Sequence, residues 1–160
     1  MSEATNRPPT SPEWGDLKRS KATSDDWGTP GWLLELIFPD NQYFDPCPWK
    51  GRGKTDGLKL DWPTDTPVFV NPPYSNPYPW VEKAAYHPGT VVLLLPVDPA
   101  AEWWANFSGR FKVTLITQRL KFNRWADGGH TRNGSAYSPS LGMPRAASCV
   151  WRKKGDRDRI

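Results

Sequence analysis

The run Val68-Phe69-Val70-Asn71-Pro72-Pro73-Tyr74 decides how the chain is read. Three apolar residues, two of them β-branched, form a short buried strand, and two prolines end it because proline cannot donate to a sheet ladder. The first proline also pushes Asn71 into an extended conformation, so the strand end is a stiff shelf. It carries an amide side chain, carbonyls without competing proline N–H groups, and an aromatic ring. Together they suit a flat heterocycle with an exocyclic amine.

Downstream, Pro79-Trp80-Val81-Glu82-Lys83-Ala84-Ala85-Tyr86 predicts a proline-initiated helix that turns Trp80, Val81, Ala84 and Ala85 inward. Thr90-Val91-Val92-Leu93-Leu94-Leu95-Pro96 is unbroken in its apolarity, the form of a strand covered on both faces. A short helix with Trp103 and Trp104 is expected over 99–107, an amphipathic strand over 110–117 and a last strand over 147–151. Arg119-Leu120-Lys121-Phe122 extends or pairs with the 110–117 strand. This alternation of strand and helix predicts an α/β sheet with parallel pairs.

Upstream, Thr29 as N-cap and Pro30 at the first helical position start a helix whose Trp32, Leu33, Leu36, Ile37 and Phe38 recur on one face. Gln42-Tyr43-Phe44-Asp45 forms a brief strand stopped by Pro46-Cys47-Pro48. An acid at the carboxyl end of a strand is where open α/β sheets bind cofactors, and a lone Asp there is also a common turn former; both readings of Asp45 stand. Gly51-Arg52-Gly53 lacks the strand, GxGxxG and helix of a dinucleotide site, so residues 49–65 are first of all a loop.

The 160 residues accommodate one domain, expected over 25–151 after a disordered leader, 1–24, and before a charged tail, 152–160. Mean hydropathy is low at −0.71, and ten tryptophans offset it with large buried area per residue. A formal charge of +4 fits a polyanionic partner. Basic groups interleaved with an aromatic ring, Arg124, Trp125 and Arg132 in the polar stretch 123–137, suit phosphates and an exposed base, and a mobile, solvated loop has much the same composition; both readings stand. Cys47 and Cys149 have no CxxC or His-rich surroundings, so neither a metal site nor a disulfide framework is expected. With no membrane-length apolar run and no signal segment at its start, the protein is expected in the cytoplasm.

In order, Trp27-Gly28-Thr29-Pro30, Phe44-Asp45-Pro46-Cys47, Asp56-Gly57-Leu58 before Trp62, Asn71-Pro72-Pro73-Tyr74, Trp80-Val81-Glu82-Lys83-Ala84, Leu93-Leu94-Leu95-Pro96 and Arg119-Leu120-Lys121-Phe122 resemble the phage-associated DNA N-6-adenine methyltransferase family. The resemblance covers roughly residues 27–151. It implies a compact Rossmann-like methyltransferase sheet, mostly parallel with an antiparallel C-terminal strand and helices on both faces. It further implies S-adenosylmethionine as cofactor, DNA as partner, and the host cytoplasm if the protein is phage-encoded.

By the same resemblance Asn71, Pro72 and Tyr74 are catalytic. Thr29, Pro30, Asp45, Pro46, Asp56 and Asn71 flank the cofactor, while Pro73 and Tyr74 join Arg124, Trp125 and Arg132 at the substrate. The chain departs from the usual pattern in that only 25 residues separate Asp45 from Asn71. That leaves little room for a second strand and its ribose-binding acid, a role that either falls to Asp56, in preference to Asp61, or is unfilled. Cytosine, RNA or a protein amide are alternative methyl acceptors for such a shelf, and a non-catalytic DNA-binding derivative is the reading of a different class. Oligomeric state is not readable.

Overall fold

The computed structural model describes residues 27–48, 56–117, 120, 122–124 and 147–155. The expected leader, Trp125 and Arg132 lie outside this set, as does most of the charged tail.

Strand β2 (Val68–Val70) pairs in parallel with β3 (Val91–Pro96), Val68 opposite Val91 and Val70 opposite Leu93. On its other side β3 pairs antiparallel with β6 (Ser148–Lys153), and β6 pairs antiparallel with β4 (Lys112–Ile116). The order is therefore β2-β3-β6-β4. A two-stranded ladder, β1 (Trp27–Gly28) with β5 (Asn123–Arg124), stands apart from it. The fold is mixed α/β, as expected, but one strand pair of the larger sheet is parallel and two are antiparallel, so it is not mostly parallel by pairing. One reversed strand placed between two others contributes two antiparallel pairs, whereas at a sheet edge it would contribute one.

Side chains of successive strand residues alternate between the two sheet faces. Val68, Val70, Val91, Leu93 and Leu95 meet Trp80, Val81, Ala84 and Ala85 of α2 (Tyr78–Tyr86) and Trp103 and Phe107 of α3 (Glu102–Phe107). Phe69, Val92 and Leu94 face the other way, toward Leu33 of α1 (Gly31–Ile37) and Phe38 beyond it. Helices thus cover both faces, and the apolar run of β3 is buried on each. Each such side chain contributes about 1.5–3 kcal/mol of gross transfer energy. Trp151 of β6 anchors the α3 side, 5.0–5.5 Å from the rings of Trp103, Trp104 and Phe111.

Four local expectations are corrected. Thr29 does not cap α1: the cap position falls on Pro30, extended at φ −61 and ψ 136, and its carbonyl accepts the Leu33 and Leu34 N–H groups at 3.1 and 3.3 Å. The apolar face of α1 is also narrower than its sequence suggests, since Leu33 is buried while Trp32 and Leu36 are 56% and 71% exposed. The strand expected over Gln42–Asp45 shrinks to a single parallel bridge, Phe44 to Val68, because Asp45 turns back to accept the Cys47 N–H at 2.8 Å just before Pro48. At the other end, β6 runs two residues beyond the strand expected, taking in Arg152 and Lys153.

His87 ends α2 with its ring buried beside Trp62 and its Nε2 bonded to the Pro63 carbonyl at 3.0 Å. Burial lowers its pKa; the Pro63 bond opposes this, and the charges of Lys153 and Lys83 add to the lowering. The folded value thus lies below the unfolded one of about 6.5. As pH falls the unfolded chain binds the proton first, so the contribution is full above about pH 6.5 and is lost as pH falls toward the folded value. Urea unfolding across this window should show stability falling with pH, and His87→Gln should flatten that slope.

Candidate active site

In the parallel geometry of the Phe44 bridge and β2, Asp45 and Asn71 leave the sheet at the same, carboxyl, end. Open α/β sheets bind ligands at that end. Asn71 is only 7% exposed and its Nδ2 donates to Thr29 Oγ1 at 3.0 Å, which brings the two motifs together across 42 residues. Pro72 is fully buried, and the Pro73 carbonyl accepts the Asn76 N–H at 3.2 Å, turning the chain toward α2.

Tyr74 is half-buried. Its hydroxyl donates to the Leu94 carbonyl of β3 at 3.4 Å, and its ring meets the edge of Phe122, centroid to centroid 6.4 Å. Leu120 and Phe122 do not extend β4; both are buried against the α1 side of the sheet. The next residues, Asn123 and Arg124, pair with Gly28 and Trp27. This ladder ties the segment before Thr29 to the segment after Phe122, so two distant stretches enclose the shelf. Of the three substrate residues expected in the polar stretch, Arg124 is placed here by its backbone alone.

The Asp45 corner is built from several turns. Asp40, Asn41 and Gln42 lead into it through a left-handed Asn41, φ 55, a conformation asparagine tolerates, with the Gln42 N–H on Asp40 Oδ1 at 3.1 Å. Tyr43 stacks on Phe38 at 4.7 Å, and its pKa is raised by burial and then by the negative Asp45. Pro46 packs against Gly57 so closely that a Cβ on Gly57 would lie 1.9 Å from the Pro46 carbonyl oxygen.

Asp56, beside that glycine, is exposed. Its Oδ1 accepts the Leu58 N–H at 3.1 Å and its Oδ2 lies 3.5 Å from Lys59 Nζ. Lys83 of α2 clasps the turn, donating to the Leu58 and Leu60 carbonyls at 2.7 and 2.6 Å over the face of Trp62. The Trp62 indole N–H reaches the Gly57 carbonyl at 2.9 Å. The sequence did not reveal the Lys83 clasp, the Gly57–Pro46 contact or the Thr29–Asn71 bond.

A separate cleft of about 820 Å³ opens at the amino ends of β2 and β3, beside Pro67, Thr90, Arg152 and Lys154. It is remote from the shelf. Both cysteines are buried, and burial pushes the Cys149 thiol up to about 11. Among the described residues no three metal-capable side chains cluster, and no helix is long and apolar enough to cross a membrane.

A family model described as DNA N-6-adenine-methyltransferase (Dam) matches residues 17–141, a span holding every element of this corner. The chain belongs to that family. A protein of Haemophilus phage HP1 (strain HP1c1), named DNA N-6-adenine-methyltransferase, is 33% identical, over 52% of this chain and 57% of its own length. The chain thus spans little more than half of that relative. The Dam match ends before β6, the expected antiparallel C-terminal strand, whose place between β3 and β4 comes from the structure alone.

Proposed function

We propose that this Dam-family chain transfers a methyl group from S-adenosylmethionine to the exocyclic amine of adenine in DNA, with the target base turned out of the duplex onto the shelf. One observation carries the reading: a buried Asn71 at the carboxyl end of β2, with its amide N–H₂ held by Thr29 and its oxygen left for an amine. The sheet supports it at a coarser level. β2, β3 and β4 all run one way with β6 alone reversed, and Phe44 continues the sheet beyond β2 in the same sense, an arrangement consistent with a Rossmann-like methyltransferase sheet.

The residues fit the cofactor by the chemistry of the donor set. The Asp45 carboxylate, half-buried at the strand end, suits a ligand bearing positive charge and hydroxyls, and Thr29, Pro30 and Pro46 flank it, with Asp56 on the turn pressed against Pro46. When bound, S-adenosylmethionine supplies an electrophilic methyl group. The amine it meets is prepared by this chain: Asn71 Oδ1 and the Pro72 carbonyl accept its two hydrogens, which draws the conjugated nitrogen toward a nucleophilic geometry. Tyr74 stacks on the extruded base, which must leave the helix because its amine is unreachable inside the stack. No general base is needed before attack: as the N–C bond forms the S–C bond breaks to leave a neutral thioether, and the methylated nitrogen then gives up one proton to solvent. Positioning and electrostatics carry the step, and good alignment supplies about 7–11 kcal/mol.

Incubation with methyl-labelled S-adenosylmethionine and DNA, followed by nucleoside analysis, tests the activity: label is expected in N6-methyladenine, and label in cytosine would overturn the base assignment. Tyr74→Ala should weaken substrate handling by about 1–3 kcal/mol, read as a raised KM for DNA, whereas Tyr74→Phe keeps the ring and should lose little.

A further inference from the structure

Asn71 and Thr29 are both buried, 7% and 8% exposed, and joined by one hydrogen bond of 3.0 Å. A primary amide has an acceptor on one side and a donor on the other, and a half-turn about its last torsion exchanges them. Facing an amine, only the oxygen is useful; an N–H₂ there would set donor against donor. What decides between the two is the partner on the far side of the amide.

Thr29 is held in place to be that partner. Before it, Trp27 and Gly28 are paired with Arg124 and Asn123; after it, the Pro30 carbonyl is engaged by the first N–H groups of α1. A threonine just ahead of a helix ordinarily spends its hydroxyl on the helix end. Here the cap position falls on Pro30, one residue later, and the Thr29 hydroxyl accepts from Asn71.

We propose that Thr29 is a positioning residue whose hydroxyl locks the Asn71 amide with Oδ1 turned toward the methyl-accepting amine. The proposal rests on the function assigned to Asn71 above. A hydroxyl both accepts and donates, so it also holds an aspartate at this position, donating to one carboxylate oxygen while the other remains an acceptor. Thr29→Val preserves the shape and removes both abilities. Asn71→Asp is therefore tolerated with threonine at position 29 and not in the Thr29→Val background.

The test uses the full chain with Thr29→Val, Thr29→Ser, Asn71→Asp and the Thr29→Val/Asn71→Asp double variant. Thr29→Ala replaces the valine if that variant does not fold. In protein labelled with ¹⁵N-asparagine, the Asn71 side-chain N–H₂, assigned by its loss in Asn71→Asp, should exchange with solvent about tenfold faster in Thr29→Val than in wild type or Thr29→Ser. In single turnover at saturating S-adenosylmethionine the Thr29→Val rate should fall about tenfold or more, with KM for DNA near wild type, and serine should restore it. Unchanged exchange, or an unchanged rate at saturating cofactor, overturns the proposal. If wild type methylates nothing, the functional reading fails, and the exchange measurement still decides whether Thr29 orients the amide.

Discussion

Asn71→Ala is expected to lower the rate of methyl transfer by at least about 10²–10³, the scale of removing one preorganised hydrogen-bonding group from an electrostatically catalysed step, while S-adenosylmethionine binds within a fewfold of wild type. The alanine removes an acceptor from the amine and leaves Thr29 Oγ1 without its buried donor. Few apolar contacts are lost, because the shelf is shaped by Pro72 and the strand before it. The loss should therefore appear in kcat and not in folding. Calorimetry for the cofactor and single-turnover transfer separate the two, and near-native turnover would remove Asn71 from the chemistry.

The second large effect is on stability. In Gly57→Ala the new Cβ would stand 1.9 and 2.8 Å from backbone oxygen and carbon of Pro46 and 2.9 Å from the Trp80 ring. Contacts with backbone are not relieved by a rotamer change, so the 56–58 turn or the 45–47 step must move. The turn is held by Lys83 on two carbonyls and by Trp62 on a third, so it resists. The cost should reach the upper range for overpacking, about 3 kcal/mol, or a melting temperature lower by about 6–12 °C. Because Asp45 and Pro46 share the displaced corner, cofactor affinity should fall as well. A wild-type melting curve would mean the turn does not press on Pro46.

The core was legible because its signals are local. The apolar residues 68–70 and 91–95 and the helical spacing of Trp80, Val81, Ala84 and Ala85 predict burial residue by residue, and all are buried. The shelf was legible for the same reason, since two prolines after a short apolar run leave the chain little choice. What encloses the shelf was not. β5 is two residues long, and the Thr29–Asn71 bond joins positions 42 apart, beyond the reach of any local propensity.

Thr29 also carries a misleading local signal, because a threonine followed by proline reads as a helix start while its hydroxyl is engaged elsewhere. Trp32 and Leu36 share the helical period of Leu33 but lie outside the arc that α1 turns to Phe69 and Leu94. Periodicity gives the stripe, and packing alone gives its width. Strand and helix alternation predicts parallel pairs, which β2 and β3 form; the mostly parallel sheet with an antiparallel C-terminal strand came with the resemblance, which does not say where that strand inserts.

The most direct test is a crystal structure of the chain with S-adenosylhomocysteine and DNA carrying an extruded adenine. The account predicts the adenine N6 bonded to Asn71 Oδ1 and the Pro72 carbonyl, with the sulfur beyond Asp45 aligned so that a methyl carbon would stand about 3–3.5 Å from that nitrogen. A sulfur bound away from the shelf, or an Asn71 amide turned with its nitrogen toward the base, would contradict it.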